Sequence, residues 1–209
     1  MNDRHICVKT ENSVPSQMLP PLCIHPFIQS CSHWKVRTLA DVGAGRLRSA
    51  IPLLRRGFDV CAVETDVQLS RIEDLISDIN RRAIGARLTC MSIEEFSSSR
   101  LMLDGAISIC VLHTIPDTQT RKGILLAIRR NVKAGGHVLV DVPFGEPYYR
   151  KKMTKDRSYR DGFLMGRESC MTFYKDYQEE ELIEFVEELG FGFEKNYQIR
   201  RHHALLFCR

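Results

Sequence analysis

The sequence lacks the features of a membrane protein and of a secreted, disulfide-stabilised one. No segment approaches the roughly 18 consecutive apolar residues of a membrane-spanning helix, and the first residues contain no apolar signal core. Eight cysteines are present, but none forms a C-x-x-C pair. No set of histidine, cysteine and acidic residues has the spacing of a zinc site. We therefore expect a soluble, cytoplasmic protein with reduced thiols, no metal and no membrane contact.

The chain also lacks a strong charge of either sign, internal repeats and low-complexity tracts. Its formal net charge of +4 over 209 residues is too small to indicate nucleic-acid binding by itself. A hydrophobic content of 44% is sufficient for one sizeable core. The composition therefore predicts a single globular domain.

One glycine turn lacks the third glycine of a dinucleotide-binding motif. An apolar strand pattern leads into Gly43 and Gly45, which let the backbone turn tightly beneath a ligand. The motif G-x-G-x-x-G would require a third glycine where Arg48 stands. A second apolar run, residues 58–63, ends at Glu64, about 20 residues after the glycines, where a carboxylate can accept hydrogen bonds from both ribose hydroxyls. The unit predicts a site for an adenosine-containing cofactor.

The rest of the chain alternates apolar strand patterns with amphipathic helix patterns, which predicts a mostly parallel sheet covered on both faces. Pro52 indicates that the helix after the glycine turn starts late or is irregular. Asp176 is a predicted N-cap, and Gly190 a predicted helix stop. In chain order, the other predicted segments are a helix over 69–83, strands over 88–91 and 104–112, a helix over 118–132, a strand over 137–142, a helix over 182–189, and strands over 191–200 and 203–208.

Several of these motifs resemble those of class I S-adenosylmethionine-dependent methyltransferases. Asp41-Val-Gly43-Ala-Gly45 resembles their first motif, D/E-x-G-x-G, although Leu47 stands where a third glycine is frequent. The strand at 104–112, with its loop 113–117, is similar to their fourth strand and functional loop. The last two strands resemble their closing antiparallel hairpin. The resemblance covers roughly residues 36–209, and its length and ending are similar to the small tellurite-resistance and thiopurine type.

The resemblance implies a Rossmann-like, doubly wound α/β fold. Its mostly parallel, seven-stranded sheet has the order 3-2-1-4-5-7-6, with the last strand antiparallel and helices on both faces. Residues 36–209 form the methyltransferase domain, and residues 1–35 are predicted to form an N-terminal cap segment over the active site. Residues 143–177 are predicted to be a substrate-side insertion: a basic and aromatic loop that holds an anionic or planar substrate, or else a solvated loop.

The resemblance also implies S-adenosylmethionine as cofactor and S-adenosylhomocysteine as product. Asp41 is expected near the amino acid moiety of the cofactor, Glu64 at the ribose, and Ser92 and Ile93 beside the adenine. The full set of predicted cofactor-binding residues is Asp41, Gly43, Ala44, Gly45, Glu64, Thr65, Ser92, Ile93 and Val111.

His113, just beyond the fourth strand, is the candidate catalytic residue. A neutral imidazole can take a proton from a hydroxyl, amine or thiol near neutral pH. The alternative is a histidine that is hydrogen-bonded in the loop or lines the pocket without acting in catalysis.

The predicted function is transfer of a methyl group to a small-molecule acceptor, a metabolite or natural-product intermediate, by a monomer or homodimer. The loop 112–116 lacks the D/N-P-P-Y/F sequence with which similar enzymes clasp a planar amino group of DNA, RNA or protein. Two alternatives stay open. One is methylation of RNA or another polyanion, and the other is a non-catalytic partner module that binds S-adenosylmethionine.

Overall fold

The protein is built on a central sheet of seven strands, with a second, smaller sheet beside it. The computed structural model describes residues 18–82, 85–167 and 170–209. The strands in these ranges are β1 (Thr38–Val42), β2 (Asp59–Glu64), β3 (Leu88–Ser92), β4 (Leu103–Ile109), β5 (Val132–Pro143), β6 (Ser158–Tyr159), β7 (Gly162–Arg167), β8 (Cys170–Tyr174), β9 (Gly192–Asn196) and β10 (His202–Cys208).

The large sheet has the order β3-β2-β1-β4-β5-β10-β9. Strands β1 to β5 are parallel, whereas β10 pairs antiparallel with both β5 and β9. This confirms the predicted fold class, including the position of the closing antiparallel pair. The carboxyl ends of the parallel strands and the start of β10 therefore meet at one edge of the sheet.

Helices cover both faces of this sheet. Because side chains alternate along a strand, neighbouring residues of β1 belong to different cores: Leu39 to one hydrophobic cluster and Ala40 to the other. Helices α1, α2 and α4 contribute to the first cluster, and α5, α6 and α8 to the second. The helices in the described ranges are α1 (Ile24–His33), α2 (Ala50–Arg55), α3 (Asp66–Arg71), α4 (Glu73–Arg81), α5 (Ile93–Ser98), α6 (Thr118–Asn131), α7 (Pro147–Arg150) and α8 (Glu179–Glu187).

The helix after the glycine turn starts late, as Pro52 predicted. Helix α2 begins at Ala50, so Pro52 occupies its first turn, where the missing N–H has no intrahelical partner to lose. The turn between Gly43 and Ser49 is left free to fold around a ligand.

Two finer helix predictions are wrong. The helix expected over 69–83 divides into α3 and α4 at Ile72, whose φ of −112° leaves helical geometry. Helix α8 is capped by Gln178, which forms a capping box with Glu181. Asp176 instead accepts hydrogen bonds from the Gly145 amide and the Tyr174 hydroxyl.

The predicted loop over 143–177 is also wrong, because this segment forms helix α7 and the antiparallel sheet β6-β7-β8. A two-residue turn joins β6 to β7, with Arg160 at a φ of +52°. Asp161-Gly162 is a hairpin signal that was not used in the prediction, whereas Arg160, at the first turn position, is an unusual residue for a left-handed conformation. Basic residues between the apolar ones also obscure the strand pattern.

A buried arginine of helix α6 forms an ion pair with the turn of this small sheet. Arg121 of α6 has a side chain only 1% exposed, and its Nη2 lies 2.6 Å from Asp161 Oδ2. Its Nη1 donates to the Tyr177 hydroxyl at 2.7 Å. Lys175 Nζ lies 3.3 Å from the same Asp161 carboxylate. The position of the small sheet therefore depends on the Asp161 carboxylate, which neutralises the buried guanidinium of Arg121.

The N-terminal part of the predicted cap segment, residues 1–17, lies outside the described residues. Helix α1 packs Ile24, Phe27 and Cys31 fully into the core. Among the helices of the described ranges, none is both long and apolar enough to cross a membrane.

Replacing the carboxylate that neutralises Arg121 is expected to destabilise the protein. Asp161→Asn leaves the buried guanidinium without its counter-charge and should lower the free energy of unfolding by about 2 kcal/mol. Urea denaturation measures the change. Asp156→Asn, an exposed aspartate of the same insertion, is the matched control and should have a much smaller effect. Equal stability of the Asp161→Asn and wild-type proteins would contradict this role.

Candidate active site

The glycine turn lies at the carboxyl end of β1, pressed against the loop that follows β4. Gly43 and Gly45 have φ values of +80° and +56°. A Cβ at Gly43 would lie 2.2 Å from Cγ2 of Val111. On the other side, the amides of Gly43 and Ala44 both donate to the Val63 carbonyl, at 2.9 and 3.3 Å. Only glycine fits at position 43.

The third position of the turn keeps a glycine-like backbone although its residue is leucine. Leu47 has a φ of +62°, in the left-handed region, and its side chain is fully buried. That conformation costs a leucine about 1–2 kcal/mol, which the burial of its side chain offsets. Leu47 therefore differs from the methyltransferase motif in residue type, while its backbone has the left-handed conformation that glycine adopts readily.

The Glu64 carboxylate fixes the turn from the end of β2. Its Oε1 accepts from the Gly45 amide at 2.8 Å, and its Oε2 from the Thr65 amide at 2.9 Å. Gln68, which is 1% exposed, donates from Nε2 to the Gly45 carbonyl at 2.9 Å. The sequence analysis missed Gln68, although Thr65-x-x-Gln68 is a capping pattern: the Thr65 hydroxyl caps α3 by accepting from the Gln68 amide.

Asp41 lies beneath the turn with an unused acceptor atom. It is 2% exposed, and its Oδ2 has no hydrogen-bond partner among the described residues. Burial, followed by the negative charge of Glu64, raises the pKa of Asp41 to about 7, although a hydrogen bond from the Ala50 amide opposes the shift. A buried carboxylate of this kind is suited to a cationic N–H donor, which would supply the missing partner and charge.

A cavity of about 340 Å³ opens beside the turn, at the same edge of the sheet. Its walls combine an apolar strip from the N-terminal segment with a polar end at the strand termini. The lining residues are Leu19, Pro20, Pro21, Leu22, Cys23, Arg48, Cys110, Asp141, Ile199 and His202. Val111 contacts the glycine turn, and its neighbour Cys110 lines the cavity. The turn and the cavity are therefore reached from adjacent residues of the same loop.

The polar end of the cavity holds a histidine–aspartate pair that the sequence analysis did not find. His202 Nδ1 lies 3.1 and 3.0 Å from Asp141 Oδ1 and Oδ2. Asp141 is 1% exposed, whereas the His202 side chain is 30% exposed. The hydrogen bond that Asp141 accepts from His202 raises the pKa of His202 above its ordinary value, against the opposing effect of burial.

Comparison with known proteins identifies the fold. No protein-family model matches the sequence. The chain is 23% identical over 179 residues to the uncharacterized protein YmfD of Escherichia coli K12, covering 83% of this chain and 79% of that protein.

Two solved structures are informative. One is the 1,6-didemethyltoxoflavin-N1-methyltransferase of Burkholderia thailandensis with bound 1,6-didemethyltoxoflavin and S-adenosylhomocysteine (TM-score 0.64, 18% identity, 90% of this chain and 78% of that one). The other is magnesium protoporphyrin IX methyltransferase of Synechocystis PCC 6803 with bound S-adenosylhomocysteine (TM-score 0.63, 14% identity, 89% and 81%). The chain has the class I methyltransferase fold.

Within this methyltransferase fold, the predicted adenine neighbours lie beside Glu64. Ser92 ends β3 in register with Glu64, and Ile93 begins α5. The Ser92 hydroxyl accepts from the Glu95 amide at 3.1 Å, and the Ser92 amide donates to the Glu95 carboxylate at 2.9 Å. This capping box uses the polar groups of Ser92, so its contact with adenine stays a prediction.

His113 is buried within the methyltransferase fold and lies outside the lining of the described cavity. It is 6% exposed, and its Nδ1 has no hydrogen-bond partner among the described residues. Burial, helped by the nearby His202, lowers the pKa of His113 to about 3, so its imidazole stays neutral. Its ring meets Tyr174 edge-on and its carbonyl accepts from the Lys175 amide. A catalytic role for His113 stays a prediction.

Two groups of side chains in the described part of the chain could hold a metal ion. Their ligand atoms lie within 4.8 Å of one another, and the groups are Cys110 with Asp141 and His202, and His137 with Glu194 and Cys208. The absence of a metal therefore also stays a prediction.

The close approach of Gly43 to Val111 generates a prediction about stability. Gly43→Ala should lower the free energy of unfolding by about 3 kcal/mol, because it adds a steric clash to left-handed strain. Gly57→Ala is the matched control: Gly57 has a φ of +84° and nothing within 4 Å of the added Cβ, so only strain is introduced. Chemical denaturation measures both changes.

Val111→Ala should remove most of the excess cost of Gly43→Ala when the pair is measured as a double-mutant cycle. Equal costs at the two glycines would contradict the close contact.

Proposed function

We propose that the protein transfers a methyl group from S-adenosylmethionine to a small-molecule acceptor bound in the cavity beside the glycine turn. The observation that carries this proposal is the buried Asp41 Oδ2, which has no hydrogen-bond partner in the described part of the chain and lies beneath a turn that accepts no Cβ at Gly43. S-adenosylmethionine offers a cationic ammonium group and an adenosine, and the turn has features suited to each. The methyltransferases of the same fold that hold S-adenosylhomocysteine support the assignment.

The residues at the carboxyl ends of β1 and β2 would hold the cofactor. Asp41 would accept from its ammonium group, and Glu64 would face its ribose while retaining its bonds to the turn. The close contact of Gly43 with Val111 brings the chain after β4 to the same place. When bound, the cofactor supplies a methyl carbon activated by a sulfonium sulfur.

The protein's own task is then to position the acceptor and keep water out. The cavity is suited to this, because apolar residues of the segment 19–23 and Ile199 form its walls. This wall also supports the predicted role of the N-terminal segment as a cap. A volume of about 340 Å³ is within the range of sites for small ligands.

The size of the cavity and the internal pairing of basic residues favour a small molecule over a polyanion. Arg160 pairs with Asp117 at 2.7 Å, and Arg157 donates to the Gly166 carbonyl at 3.2 Å. Lys175 pairs with Glu181 at 2.6 Å. These groups of the insertion bind the protein itself, which leaves fewer of them for phosphates.

Calorimetric titration tests the cofactor assignment. S-adenosylmethionine should bind, and NADH should not. Glu64→Gln should weaken binding by about tenfold, because the turn and the ribose lose a charged acceptor. A well-folded wild-type protein that binds neither S-adenosylmethionine nor S-adenosylhomocysteine would overturn the proposed function.

The pH dependence of the same titration tests Asp41. Binding of a cationic ammonium group favours the ionised carboxylate, so it lowers the pKa of Asp41 from its value of about 7 and releases a proton. The affinity should therefore rise with pH up to about 7 and fall by up to about tenfold per pH unit below it.

Asp41→Asn should bind S-adenosylmethionine more weakly above that pH and should lose this pH dependence. An unchanged pH profile in Asp41→Asn would show that another group titrates.

A further inference from the structure

Resting on the proposed function, we propose that His202, oriented by Asp141, is the catalytic base of the acceptor site, and that Arg48 binds a second, anionic or carbonyl oxygen of the acceptor. The acceptor class that fits is a small, largely apolar molecule with an acidic O–H or ring N–H. Both side chains line the same cavity, together with the apolar residues of the segment 19–23.

The geometry of the pair leaves one ring nitrogen of His202 for the acceptor. Both Asp141 oxygens lie about 3 Å from Nδ1, which fixes the proton of the neutral ring on that nitrogen. Nε2 makes no hydrogen bond to any residue in the described ranges. Asp141 itself is almost fully buried, so its role is to position the ring and stabilise the imidazolium, without touching the acceptor.

The charged groups around His202 favour proton transfer over metal binding at this cluster. Asp141 from β5, followed by the more distant Glu146, raises the pKa of His202, while burial and Arg48 lower it. Cys110, after β4, and His113 also lie near the ring. A divalent ion here would be repelled by Arg48, whereas an anionic acceptor would be attracted.

Arg48 is held in place with part of its guanidinium still available. Its Nε donates to the Leu19 carbonyl at 2.6 Å, which ties the turn to the apolar wall. Its two terminal nitrogens make no hydrogen bond within the described part of the chain. A guanidinium with two such donors suits a carboxylate or carbonyl oxygen.

When the acceptor is a hydroxyl, its O–H bond breaks, the proton moves to His202 Nε2, and the electron pair stays on oxygen. The acceptor oxygen forms its new bond to the methyl carbon as the carbon–sulfur bond of the sulfonium breaks, with those electrons remaining on sulfur. The imidazolium of His202, which is partly exposed, then returns its proton to solvent.

Two chromogenic phenols test the proposal without turnover. The probes are para-nitrophenol and para-hydroxybenzoate with one nitro group beside its hydroxyl, each titrated into protein saturated with S-adenosylhomocysteine. Near pH 6, para-nitrophenol should gain phenolate absorbance on binding, because the imidazolium of His202, the form that its raised pKa favours at this pH, stabilises the phenolate. His202→Asn should abolish this gain, and His25→Asn, an exposed control, should preserve it.

The carboxylated probe tests Arg48. It should bind about tenfold more tightly than para-nitrophenol, and Arg48→Gln should remove that preference. Arg46→Gln, an exposed arginine of the same turn, should retain it. Failure of both probes to bind, or a phenolate signal unchanged in His202→Asn, would overturn the proposal. Binding of S-adenosylhomocysteine is measured beforehand without any acceptor, so a failed cofactor assignment is recognised separately.

Nuclear magnetic resonance titration of the His202 ring tests the positioning role of Asp141. The pKa of His202 should lie above the ordinary histidine value in the wild-type protein and should fall in Asp141→Asn. An ordinary or lowered pKa in the wild-type protein would overturn that role. The His202→Asn experiment stands independently if Asp141→Asn does not fold.

Discussion

The contact between Gly43 and Val111 is the constraint on which the arrangement of the site depends. A Cβ at Gly43 would lie only 2.2 Å from a methyl group of Val111, so the end of β1 and the chain after β4 can approach this closely only because position 43 has no side chain. Val111 closes the turn, while the preceding Cys110 lines the cavity. In the proposed function, a methyl group would need to move only a short distance, because the glycine turn and the cavity share this stretch of backbone.

Two residues with a strained backbone lie beside this contact. Leu47 and Cys110 adopt left-handed φ values of +62° and +59°, which L-residues rarely adopt. The complete burial of the Leu47 side chain and the hydrogen bond from the Cys110 amide to the Asp141 carbonyl, at 2.8 Å, hold these conformations. Strained residues persist only where their surroundings over-determine them, and they cluster at functional sites. Here Leu47 lies in the glycine turn and Cys110 lines the cavity.

The large sheet could be predicted because its signals are local: glycine and acidic residues at strand ends, apolar runs and a final strand pair. Two features were not predicted. The small sheet turns at Arg160-Asp161, where Asp161-Gly162 is a hairpin signal, but the basic residues on either side obscure the strand pattern. The pair of His202 and Asp141 joins residues 61 positions apart, and it depends on the antiparallel register that places His202 opposite Pro143. Along the sequence His202 has no visible partner, because Asp141 meets it only in the folded sheet.

Asp41 and Asp141 are both buried at this edge of the sheet, but they are suited to different roles because their surroundings differ. Among the described residues, one oxygen of Asp41 has no hydrogen-bond partner; burial raises the pKa of this carboxyl, and a cationic ligand would restore its charge. Asp141 has its partner built in, because His202 Nδ1 lies about 3 Å from both of its oxygens. A buried carboxylate without a partner is suited to binding, whereas one with a partner is suited to orienting that partner. In the proposed function, the cofactor side of Val111 holds the first kind and the acceptor side the second, as transfer from a cation to a deprotonated acceptor requires.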